Sequence, residues 1–267
     1  MKKLILLAFL AILINGSFAQ APVKGSVLYL SSTSPFVGTT VASVPLEIKL
    51  NNVSKLRITT LGQIETLNNG YSVFVGESAG AADDLSANVN IAIGYQSLSA
   101  NITGAGNTAV GIQSMLLNRV SENTAFGYNA LYSNTIGTPN TAIGVQALYL
   151  NTTGYSNTAV GYKSLISNSI GYTNTAVGHY SMFANTIGFH NVAVGEAALY
   201  ANTTGHANTA IGYQALYTNT TGTSNTANGY QALYANSIGN ENTAVGWLSI
   251  AKNSNGSSNT AIGYYSM

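Results

Sequence analysis

The stretch Asn157–Thr173, NTAVGYKSLISNSIGYT, is followed seventeen residues on by NTAVGHYSMFANTIGFH and then by NVAVGEAALYANTTGHA. Fixed self-similarity of this kind marks a solenoid, in which each unit buries its apolar side against its neighbours. Working outward, unit starts fall at Asn90, Asn107, Asn123, Asn140, Asn157, Asn174, Asn191, Asn208, Asn225, Asn242 and Asn259. One unit is a residue short, and a weak copy, SVFVGESAG, begins at Ser72. Within a unit the first residue is Asn, the third Ala, the fifth Gly, the eighth Ala or Ser, and the ninth Leu, Met or Ile. The twelfth is Asn in every complete unit, and the fifteenth is nearly always Gly.

This pattern predicts an all-β fold. The architecture is a parallel β-solenoid (β-roll) of about eleven 17-residue coils over 72–267. NTAVG reads as a short strand ended by a glycine that permits a sharp bend. Positions four and nine differ by an odd number, so one straight strand cannot point both inward, and the chain must turn near that Gly. YKSLISN fits either a second strand or a single helical turn capped by Asn. NTTG and NSIG are turns. Eleven coils at ~4.8 Å each make a rod on the order of 50 Å long.

Residues 20–71 have another character and hold four of the nine basic residues. SVLYL, PLEIKL and KLRIT alternate as strands do, with NNVS as a hairpin turn, predicting a small β module. Before it, MKKLILLAFLAILINGSFAQ carries two lysines, an apolar run from Leu4 to Ile14 and small residues at Ser17 and Ala19. That is the pattern of a secretory signal peptide over 1–19, cleaved before Gln20. The expected location is therefore extracellular, secreted or on the cell surface. No further apolar run predicts a membrane span in the mature chain.

Charged residues make up 6% of the chain and net charge is +1. No basic footprint for nucleic acid follows from that balance. The apolar fraction of 46% is ample for folding, and the absence of cysteine removes disulfides and thiolate metal sites. No nucleophile elbow, phosphate loop or catalytic carboxylate pair occurs. Glu122, Glu196 and Glu241 are the acidic residues from Asn90 onward and lie in separate units, which argues against a carbohydrate-active enzyme. His179, His190 and His206 take three different unit positions and gather no acidic partners, and Asp83–Asp84 alone fall short of a calcium loop. The expectation is a non-enzymatic chain without cofactor or metal.

Side chains alternate in a strand. With position four inside the coil, position two is inside as well, as Ile91 and Val192 in place of Thr suggest. Ala142, Ala159, Ala176, Ala193 and Ala210 then form an outward row of small residues, a candidate oligomer seam. The opposite parity, with Ala inside and the Thr–Val pair at the seam, is the alternative. Invariant Asn at positions one and twelve points to stacked amides bonding along the coil axis. Tyr recurs at position six, with Trp247 in register, and at position ten, as Tyr132, Tyr149, Tyr200, Tyr217 and Tyr234. These rings either cover the coil by stacking or form an adhesive stripe.

NTAVGYKSL and NTAIGYQAL resemble the SVAIG head repeat of YadA-like trimeric autotransporter adhesins. The resemblance spans 72–267. It implies a left-handed parallel β-roll, a homotrimer, and adhesion to a surface or glycan. The coil is longer here by roughly three residues, and the family's stalk and membrane barrel have no counterpart, so autotransport is not implied. PLEIKLNNVSKLRITTLGQI is also similar to the leader hairpin of phage-tail-fibre-like secreted proteins. The expected function is a structural or adhesive fibre head. The rival is an ice-binding solenoid, since Thr occupies position two in nine of eleven units. With that row inside the coil, no thermal hysteresis is expected.

Overall fold

The computed structural model describes residues 45–50, 53–61, 63–66, 70–84 and 86–267. The signal-peptide reading and the SVLYL strand lie outside these residues. A small sheet orders β1 (Leu46–Leu50), β2 (Val53–Ile58) and β3 (Ile64–Thr66). β2 and β3 are antiparallel, with Arg57 opposite Glu65 and their side chains hydrogen-bonded. β1 and β2 match the expected strands, while β3, in the segment QIET, was not anticipated.

From Val73 onward the chain is one 12-stranded parallel sheet, β4 (Val73–Val75) to β15 (Thr260–Ile262), with strands stacked in sequence order. Each strand has three residues, and register is fixed by the repeat: in β9 (Thr158–Val160) and β10 (Thr175–Val177), Ala159 pairs with Ala176. The described residues contain no helix. The second half of each coil is neither of the two expected elements but a run of turns.

The parity is the reverse of the first expectation. Every position-three Ala from Ala92 to Ala244 is fully buried, whereas positions two and four, such as Thr175 and Val177, lie on the outer side of the sheet. Ala142, Ala159, Ala176, Ala193 and Ala210 therefore line the coil interior and cannot form an outer seam. The reason is volume. The large apolar side chains wholly inside are those of position nine, from Leu98 through Leu233. One Leu or Met per coil leaves room opposite it only for Ala at position three and Ala or Ser at position eight. A second branched side chain would overpack so narrow a tube.

Two backbone features turn the coil. Gly at position five has φ between +127° and +140° throughout, a region closed to side-chain-bearing residues. Position seven then sits at φ of 51–57° and the buried position nine at 48–53° in every complete coil. Leu, Met and even Ile250 adopt this left-handed conformation, which costs each of them roughly 1–2 kcal/mol. Burial of the position-nine side chain offsets that cost by about 1.5–3 kcal/mol. The turns are also bonded from coil to coil, for example Leu165 N–H to Ser181 O at 3.0 Å and Lys163 N–H to Val145 O at 2.9 Å.

Candidate functional surface

Inside the tube run two asparagine ladders. Asn191 shows the first. Its Nδ2 donates to Gly205 O at 2.9 Å and to Asn174 Oδ1 at 3.2 Å. Its Oδ1 accepts the backbone N–H of Asn208 at 3.0 Å. The second ladder is at position twelve: Asn202 Nδ2 donates to Asn185 Oδ1 at 2.7 Å and to the same Gly205 O at 3.0 Å. Two buried amides thus converge on one glycine carbonyl in each such coil. This is the axial bonding expected of the invariant asparagines, and it marks them as structural residues. The position-twelve ladder is broken once, at the short unit. Asn118 donates to Asn107 Oδ1 and Val120 O, leaving Asn101 Oδ1 buried without a partner.

Other polar rows are consumed in the same way. Turn hydroxyls at position thirteen donate to the equivalent carbonyl of the next coil, as Thr186 does to Thr203 O and Thr203 to Thr220 O. Where position eight is Ser, its hydroxyl reaches a strand carbonyl, as Ser164 does to Ala176 O at 3.0 Å. Asp83 and Asp84 close a loop around Asn88, whose Nδ2 bonds both carboxylates. Hydrogen bonding by Ser86, hydroxyl first and then backbone N–H, holds Asp84 below the usual carboxylate range. Contrary to expectation, one histidine has an acidic neighbour, because stacking brings position six of adjacent coils together: His179 Nδ1 lies 3.9 Å from Glu196 Oε1. Among the described residues no three His, Asp or Glu side chains are grouped as metal ligands would be.

The tyrosines stack. At position ten, Phe183, Tyr200, Tyr217 and Tyr234 form a continuous column with centroids 5.0–5.3 Å apart, and Tyr132 packs on Tyr149 at 5.1 Å. All five proposed binding tyrosines are half-buried. Burial, and then the neighbouring Tyr200 and Tyr234, push the Tyr217 phenol above its ordinary range. At position six the column Tyr213, Tyr230, Trp247, Tyr264 is more exposed. A third column at position sixteen, Tyr155, Tyr172, Phe189 and His206, escaped the sequence reading because it persists over only four coils. In all three columns ring faces cover one another, so the stripes offer ring edges and phenol hydroxyls to the outside.

One surface is not consumed by the chain's own bonding. It is the outer side of the 12-stranded sheet, carrying positions two and four of every coil. No charged residue occurs there in any strand. Position four is Val or Ile except at Phe126 and Asn228, and position two is Thr, Val or Ile. No hydroxyl of the position-two threonines has a hydrogen-bond partner among the described residues, in contrast to the turn threonines. The face is about 50 Å long by strand spacing and roughly 10 Å wide for three residues per strand. Monomeric proteins rarely expose apolar patches above a few hundred Å². Val160, Val177 and Ile211 were expected in the core; their variation with Phe and Asn was the signal that the site is open.

No protein-family model, curated protein or solved structure matches the chain. The parallel β-solenoid stands on the structure itself.

Proposed function

We propose that the chain is a structural, adhesive fibre head, extracellular and non-enzymatic, that works as a homotrimer of parallel β-solenoids in the manner of YadA-like heads. One observation carries the assembly: an uncharged, mainly β-branched sheet face as long as the solenoid, with the position-two threonine hydroxyls left free. Depletion of charge is the compositional mark of an interface core. A hydroxyl both donates and accepts, so a threonine row is complementary to its own copy. The seam is therefore the Thr–Val face, not the alanine row. Adhesion to a surface or glycan falls to the outer tyrosine columns, through ring edges and hydroxyls. The scarcity of charge around them suits contact with a neutral polysaccharide or an apolar surface better than with a polyanion.

The parity favours a second reading. A threonine row on a regular, flat, outward sheet is the arrangement an ice-binding face requires, so the expectation of no thermal hysteresis loses its ground. Phe126 and Asn228 interrupt the row's neighbour and make the lattice match worse, which ranks this reading second. Solution mass separates the two. The parent should sediment as a trimer. Val160→Lys, Val177→Lys and Val194→Lys together should give a folded monomer, because these sites are on the surface of a single chain and like charges repel at a seam. A parent that is monomeric at every concentration, and that shapes ice crystals, would establish the second reading instead.

A further inference from the structure

We infer that Asn228 and Phe126 fix the axial register in which copies of this chain associate; this rests on the seam proposed above. A solenoid of near-identical coils has a register problem. Sliding one copy along another by one coil brings Thr onto Thr and Val onto Val or Ile, and loses the contacts of only the terminal coil. Weakly specified registers slip.

Two residues break the degeneracy of the position-four row. Asn228 is the one polar residue in it, the last residue of the strand Thr226–Asn228, paired in register with Ile211 on one side and Val245 on the other. Its side chain is exposed and makes no hydrogen bond among the described residues, whereas the asparagines of positions one and twelve are spent in ladders. Its backbone bonds are normal: Asn228 O accepts Gly246 N–H at 2.8 Å. Asn228 therefore does nothing for its own coil that Val would not do. Phe126 is the bulkiest residue in the row and 41% exposed, flanked by Val110 and Ile143.

With copies level, Asn228 meets its own counterparts, and an amide can donate to and accept from another amide. Phe126 likewise meets Phe126. With copies slipped by one coil, each Asn228 faces Ile211 or Val245 and is covered without a partner. Each Phe126 faces a branched aliphatic side chain packed for a smaller neighbour. A lone polar residue in an apolar seam specifies register at a cost in stability in the same way in coiled coils.

The test uses the absence of native cysteine. Single-cysteine chains Thr243→Cys and Thr260→Cys, one of them isotope-labelled, are mixed unfolded, refolded together and oxidised. Cross-linked peptides are then assigned by mass. In the native background we expect links between like positions, 243 to 243 and 260 to 260. In the Phe126→Val, Asn228→Val background the mixed 243-to-260 link should rise at least fivefold while the solution mass stays that of a trimer. An unchanged link pattern in a trimeric double variant would overturn the register role and leave the assembly standing. Monomers without links in both backgrounds would overturn the assembly and this inference with it.

Discussion

Replacing Asn191 by Asp should cost about 3–5 kcal/mol of stability at pH 7, and little of that at pH 3. The parent amide donates from Nδ2 to Gly205 O and Asn174 Oδ1. In the variant a carboxylate oxygen confronts those two acceptors in a site with no exposure. Desolvation and the facing oxygens both disfavour the charged form, so the folded-state pKa lies above the ordinary value of about 3.9. The sign follows: the folded state holds the proton more tightly than the unfolded one. The penalty is complete above the folded-state pKa and disappears as pH falls below the unfolded value. The protonated acid also regains one donor for the ladder. Denaturant melts of parent and variant at pH 3 and pH 7 measure it, and a pH-independent loss would mean that the ladder is not held by these donors.

Gly178→Ala should be as damaging for a different reason. Its φ is +139°, and a Cβ there would stand 2.4 Å from the carbonyl oxygen of Gly195 in the next coil. That neighbour is backbone and is itself stacked on Gly212, so nothing flexible can give. We expect a loss of about 3–5 kcal/mol. Gly106→Ala is the control, because φ is also positive, at +68°, but a Cβ meets nothing within 4 Å. It should cost only the left-handed penalty of roughly 1–2 kcal/mol. Since coils interact with nearest neighbours, the damage should be local. Hydrogen exchange should rise in the coils around Gly178 and leave those near Gly246 protected.

Much of this was legible because stacking makes each unit position its own neighbour. The seventeen-residue spacing gave the parallel register of Ala159 on Ala176, and invariance of Asn gave the two ladders. The bend at Gly161 was legible from the glycine itself. The odd interval between positions four and nine was no ground for it, because the two inward positions are three and nine, Ala159 and Leu165, which differ by an even number. Parity was not legible from alternation, because period two is satisfied either way. Invariance would have settled it: across the eleven regular units Ala at position three never varies, because a position-nine side chain such as Leu165 leaves no more room. Phe74 takes the place only in the weak copy, where position nine is Gly80; the site of Val160, by contrast, accepts Phe126 and Asn228. The turn segment was misread for a sharper reason. Leu165 and Lys163 adopt left-handed backbone that their side chains ordinarily avoid, so no local propensity announces it. The threonine hydroxyls of Thr186 and Thr203 were likewise invisible as donors until the next coil's carbonyl was placed above them.

The strand Thr175–Val177 has its middle residue in the tube and its outer two on the open face proposed as the seam between copies. Thiol labelling of Thr175→Cys, Ala176→Cys and Val177→Cys across a dilution series tests both halves at once in a chain with no other cysteine. Cysteine at 176 should stay protected at every concentration until the chain unfolds. At 175 and 177 protection should be present when concentrated and lost on dilution, as the copies separate. A reactive cysteine at 176, with 175 and 177 protected regardless of concentration, would contradict the account.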